Sequence, residues 1–140
     1  MRGLRVASMA IATVAALILV AACGQSGPGG SSSGLASRTI SAGSVEITIE
    51  PLRLDTSGAS FQVKLDTHSG DLNMDVARAA HLEVGGTDWG SASWVGDPPG
   101  GHHREGELRF ASAGSARGEI RLTISDLPGP VLATWNIASG

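Results

Sequence analysis

Two stretches of the chain carry residue types that can do chemistry at a spacing worth testing. The first is Thr67-His68-Ser69-Gly70-Asp71-Leu72-Asn73-Met74-Asp75, and the second runs from Trp94 through Asp97-Pro98-Pro99-Gly100-Gly101-His102-His103-Arg104 to Phe110. Neutral imidazole beside a carboxylate is a ligand set for zinc or Cu(II), and the Met74 thioether would tilt such a site toward Cu(I). His102 and His103 alone make a poor pair. Neighbours on a strand point to opposite faces, so both can serve one ion only if the turn or a bulge re-aims one of them. A copper or zinc site built from His68, Asp71 and either His102 or His103 is sterically easier, provided the fold joins the two stretches. The competing reading is structural: His68 and one of the pair hydrogen-bond at a corner, while Arg104 pairs with Asp97 or an upstream acid and pins a long loop. On that reading Trp94, Asp97, His102, His103 and Arg104 form a binding loop and no metal is needed.

Catalytic machinery is not legible. There is no glycine loop followed by Lys to cradle phosphate, so no enzyme is expected. Asp66, Asp71 and Asp75 read most simply as the solvated face of one element, and His81 as a strand-edge side chain. Trp89 and Trp94, in a Gly/Ser-rich connection, are either exposed recognition aromatics or half-buried lids. Ten basic residues stand against thirteen acidic ones, a formal charge of −3. Nucleic acid is therefore excluded as a partner, since a phosphate-binding surface needs an excess of Lys and Arg. A single cysteine rules out an intramolecular disulfide and a thiolate zinc cluster.

The elements that must position these residues read as strands. The chain has 140 residues, 41% of them hydrophobic, which is room for one domain of ordinary size. Val45, Ile47 and Ile49 alternate with Glu46, Thr48 and Glu50 and stop at Pro51, the period-two signature of a half-buried strand. The same alternation recurs over Phe61–Leu65, Leu72–Val76, Leu82–Val84, Leu108–Phe110 and Ile120–Ile124, and the chain closes with a run from Val131 to Ile137. Ala77 to Ala80 favour one turn of helix as the alternative for part of this. The pattern suits an all-β fold, an immunoglobulin-like antiparallel β-sandwich of about seven strands over residues 38–140. Phe61, Phe110 and Trp135 are the large residues expected to centre its core.

What precedes that domain reads as an address. Arg2 and Arg5 are followed by an uncharged run from Val6 to Ala22 that ends in Val20-Ala21-Ala22-Cys23, the layout of a secretory signal. The tetrapeptide resembles the bacterial lipobox. That resemblance implies a lipoprotein signal peptide over 1–22, removed by cleavage, and acylation of Cys23. The protein would then be anchored in the cell membrane or outer membrane on its extracytoplasmic side, with the bilayer as partner. Residues 23–37 follow as the lipidated Cys and a flexible Gly/Ser tether. Loss of Arg2 and Arg5 leaves eight basic and thirteen acidic residues, a charge of −5, so attachment rests on the acyl chains. The second stretch, Trp94-Val95-Gly96-Asp97-Pro98-Pro99-Gly100-Gly101-His102-His103-Arg104, is similar to a motif of uncharacterised bacterial extracytoplasmic β-domains, accompanied upstream by His68-Ser69-Gly70-Asp71-Leu72. The resemblance implies that both stretches belong to one site and implies no activity. The expected function is a non-enzymatic binding or accessory module that takes an envelope protein or small ligand; the alternative is a copper- or zinc-binding domain.

Overall fold

The structure, a computed structural model, describes residues 33–138. The signal over 1–22, Cys23 and the Gly/Ser stretch as far as residue 32 lie outside the described residues. Nine strands and one short helix follow in order: β1 Arg38–Ala42, β2 Val45–Asp55, β3 Gly58–Thr67, α1 Val76–Ala79, β4 Ala80–Val84, β5 Thr87–Asp88, β6 Ala92–Gly96, β7 His103–Ala111, β8 Gly118–Ile124 and β9 Val131–Ile137. They form two antiparallel sheets, β1-β2-β3-β7-β6 and β5-β4-β8-β9. The fold is the expected all-β sandwich. Its strand order has a feature of its own, because β1, β2 and β3 run as one meander within the first sheet, whereas a constant-type immunoglobulin domain sends its third strand to the other sheet.

Alternation drives the burial. Val45, Ile47 and Ile49 of β2, Phe61, Val63 and Leu65 of β3, and Ile120, Leu122 and Ile124 of β8 point inward and are buried, while the residues between them are exposed or half-buried. Phe61 stands at the centre, edge-on to Phe110 at 6.2 Å and 5.7 Å from the Trp135 ring of the opposite sheet. Each such ring contributes roughly 1.5–3 kcal/mol through burial. Trp89, expected at the surface or as a lid, is a core residue with 2% of its surface exposed.

Four expectations about local structure change. Strand β2 does not stop at Pro51 but continues to Asp55 through a bulge between Pro51 and Arg53. Strand β1 begins at Arg38, opposite Ile49, and its pairing does not reach Pro51, so Pro51 sits on a local edge, where a missing N–H is tolerated. The Leu72–Val76 alternation does mark buried Leu72 and Val76, yet no strand forms there. Asp75 instead caps α1 by accepting from the Arg78 N–H at 3.1 Å. Consequently Asp66, Asp71 and Asp75 do not share one element: they lie on β3, in a loop and at a helix cap. Residues 33–37, read as the end of a tether, lie against the sandwich. Ser33 Oγ donates to Pro51 O at 2.7 Å, half-buried Leu35 packs on the core, and the Trp135 indole donates to Ala36 O at 2.6 Å. Strands β1, β5 and β6 escaped the sequence reading because they are short and, in β1 and β6, sit at sheet edges with one apolar position or none fully buried.

Candidate functional site

The two chemistry-bearing stretches meet at one end of the sandwich. Four connections gather there: the β1–β2 turn, the β3–α1 loop, the β6–β7 loop and the β8–β9 loop. Pro98 and Pro99 stiffen the approach, and Gly100 and Gly101 turn the chain with φ of 116° and 70°, a region costly for other residues. That turn sets residues 100–102 alongside the β3–α1 loop. Gly100 N–H donates to Leu72 O, Leu72 N–H to Gly101 O, and Thr67 N–H to His102 O, each at 2.9 Å.

Arg104 fastens the junction. It is the second residue of β7 and points inward, where 1% of its surface remains exposed. Its Nη1 donates to Leu72 O at 3.0 Å and Met74 O at 2.7 Å, and its Nη2 to Asp97 O at 3.2 Å. The guanidinium carbon lies 5.7 Å from the centre of the Trp94 ring, a cation–π contact in a desolvated place. Buried Nε has no protein partner among the described residues. Burial pushes the guanidinium pKa down while the Asp97 and Asp75 carboxylates push it back up; arginine stays charged regardless. The expected ion pair with Asp97 is therefore corrected: Arg104 uses Asp97's carbonyl. The Asp97 carboxylate instead accepts from Glu105 N–H at 2.8 Å, and Asp97 N–H donates to Glu105 O at 3.0 Å.

Trp94 completes the clamp. Its indole N–H donates to Asp97 O at 2.9 Å, so that one oxygen serves both Trp94 and Arg104. The ring needs room beneath it, and Gly106 supplies that room. A Cβ at Gly106 would stand 2.5 Å from Trp94 Cζ2 and 2.8 Å from the Cα of Gly96, its cross-strand partner. Sequence reasoning missed both glycines. The usable signal was Gly106 itself, the small residue at an inward position of β7 between Arg104 and Leu108.

The histidines separate. His103 faces outward at the start of β7, opposite Asp66 on β3, with Nδ1 2.6 Å from the Asp66 carboxylate. That hydrogen bond and the Asp66 charge raise the His103 pKa; desolvation opposes them, and Glu105 and Asp97 add lesser raising effects. His102 Nε2 approaches Asp71 Oδ1 at 3.9 Å. His68 is exposed and lines a different hollow, with Ser44, Glu46 and Asp66 beside the β1–β2 turn. His81 lies 3.8 Å from Asp88 on the second sheet. Thus Asp71 meets His102 and Asp66 meets His103, as two separate exposed pairs. Among the described residues no group of three or more His, Cys, Asp or Glu side chains is placed to hold a metal ion.

These observations define a class by architecture: a two-sheet β-sandwich whose end loops are held by one buried arginine and one tryptophan. Comparison with protein families, curated proteins and solved structures returned no match.

Proposed function

We propose that the protein is a lipid-anchored extracytoplasmic binding or accessory module, non-enzymatic, that presents the end loops carrying His102, His103 and the 67–75 segment. The observation that carries this reading is the geometry of entry. Residues 33–36 run beside Pro51 and Trp135, in the half of the sandwich remote from the loop end, and β1 then runs toward that end. Nine residues separate Cys23 from Ser33. Nine residues of chain can span at most about 30 Å. A bilayer attachment through Cys23 would therefore hold the entry half near the lipid and turn the loop end outward. The rigid loop junction supports binding, since a surface already ordered loses little entropy when a partner arrives. The non-enzymatic reading is supported by Arg104, a buried charge whose Nη1 and Nη2 are held by main-chain carbonyls and which is hence unfree to act on a substrate.

The test is expression in a lipoprotein-competent bacterium with labelled palmitate. Incorporation into the wild-type chain, and release from the membrane fraction on Cys23→Ser, are expected. A wild-type chain that takes up no label, or a Cys23→Ser chain that stays in the membrane, overturns the anchor.

A further inference from the structure

At the same loop end lies a cavity of about 230 Å³ that the histidines do not line. Its walls come from the β1–β2 turn, the β3–α1 loop and the β8–β9 loop. Leu72, Met74 and Leu127 supply apolar surface, and Asp71, Asp126 and Asn73 supply the polar groups; no Lys, Arg or His side chain lines it. We infer that this cavity is a binding site for a small ammonium group carried on a short apolar chain, whether a free amine or a lysine side chain. The inference rests on the reading of this end as the binding end and names its ligand chemistry.

Size is the first argument. An apolar cavity of about 150 Å³ accepts benzene, so 230 Å³ suits a ligand a little larger, on the scale of a pentyl chain with its head group. The second argument is charge. Asp71 and Asp126 carry carboxylates and Asn73 an amide among the lining residues, which include no Lys, Arg or His; His102 stands outside the lining, 3.9 Å from Asp71 Oδ1, so a negative ligand meets repulsion and a cation meets attraction, most directly at Asp126. The apolar surface sets the remaining requirement, because it rewards a ligand that carries methylene groups behind its charge. This combination of apolar walls with a few convergent polar groups is the usual construction of a small-molecule site.

The third argument is rigidity. Leu72 and Met74 are the residues whose carbonyls Arg104 holds. Buried Thr67 ties the β1–β2 turn to the β3–α1 loop, its Oγ1 donating within 3.1 Å of Ser44 O and 2.8 Å of Ser69 O. Asp126 stands at φ 61°, in the left-handed region. Strain there is tolerated when the surroundings over-determine the conformation. The buried clamp therefore acts on the cavity, fixing the wall against which a ligand would lie.

The experiment uses the full chain in detergent micelles, isotope-labelled on amides and methyls, titrated with n-pentylamine at neutral pH. Saturable shifts at Leu72, Met74 and Leu127 are expected. Asp126→Asn and Asp71→Asn should each weaken binding about fivefold, the scale of one partly exposed charge interaction. Asparagine accepts the left-handed conformation, so Asp126→Asn keeps the loop, and its amide spectrum verifies that. n-Pentanol is the neutral control. Equal binding of pentanol and pentylamine, shifts confined to residues outside the cavity, or affinity unchanged by both variants would overturn the inference. Nα-acetyl-lysine methylamide separates the sources: binding as tight as pentylamine points to a lysine of a partner, and its exclusion points to a free amine. Because the titration does not depend on lipidation, a chain that binds amine yet incorporates no palmitate refutes the anchor and leaves the cavity standing.

Discussion

Replacing Arg104 by Met tests whether the guanidinium is the fastener of the loop end. Methionine keeps most of the apolar stem and removes the charge with every donor. Three charge-assisted bonds disappear, each with a net worth of about 1.5–3 kcal/mol where the carbonyl is left unpaired. Two of the three carbonyls keep a partner, however. Leu72 O retains the Gly100 N–H and Asp97 O retains the Trp94 indole, both at 2.9 Å. Met74 O loses the guanidinium that holds it at 2.7 Å, a cost of about 1–3 kcal/mol. The lost cation–π contact with Trp94 adds about 0.5–2 kcal/mol. Against these stands the relief of desolvating a cation, several kcal/mol in a buried setting, part of which the native bonds already offset. The expected net effect is a destabilisation of about 2–4 kcal/mol. With a urea slope of about 1–3 kcal/mol per molar for a small domain, the midpoint falls by about 1–2 M.

Arg104→Lys sharpens the test. An ammonium keeps the buried charge but lacks the planar fork that reaches three oxygens. Lysine should therefore be no better than methionine, although it is the conservative change by charge. Amide exchange supplies the local readout, since Gly100, Leu72 and Thr67 donate across the junction and should exchange faster in both variants. A methionine variant with a wild-type midpoint and unchanged protection at those three amides would refute the clamp. A lysine variant of wild-type stability would show that charge matters and the fork does not.

Three other outcomes follow from the same geometry. Gly106→Ala sets a methyl 2.5 Å from the Trp94 ring and 2.8 Å from Gly96 Cα; it should cost about 1–3 kcal/mol and shift tryptophan emission to the red as the indole leaves its seat. His103 has a pKa raised above its ordinary 6.5 by Asp66, so its contribution is full below the unfolded value and lost as pH rises through the folded one. His103→Gln should therefore lower the melting temperature relative to wild type at pH 5.5 and have less effect at pH 8, a small difference for so exposed a pair. Zinc or Cu(II) at one equivalent should leave the wild-type midpoint unmoved; a site filled at 100 times its dissociation constant would add about 2.7 kcal/mol, and such a gain abolished by His102→Ala or His68→Ala would establish metal binding.

Period-two alternation carried the architecture, since six of the seven strand readings coincide with strands and, Leu132 and Ile137 apart, their apolar positions are the buried ones. The exception is instructive. Leu72 and Val76 are as buried as a strand reading requires, but a strand also needs a neighbouring backbone that accepts from its N–H groups and donates to its C=O groups along its whole length. Leu72 alone pairs with backbone, at Gly100 and Gly101; the carbonyls of Leu72 and Met74 take the Arg104 guanidinium, and Asp75 diverts the chain into a helical turn. Hydrophobic pattern reports which side chains are buried and is silent on what pairs the main chain. The same gap explains the site. Arg104 and Asp97 were legible as participants because a charged residue at an inward strand position demands compensation. Which atoms compensate it was not legible, because main-chain oxygens carry no signature in the sequence. That distinction has a functional consequence: an arginine bound by carbonyls leaves carboxylates elsewhere unspent. Asp126, and Asp71 with His102 beside it, line the cavity whose wall the arginine fixes, so the residue that looked like half of an ion pair shapes that wall without drawing on either of its acids.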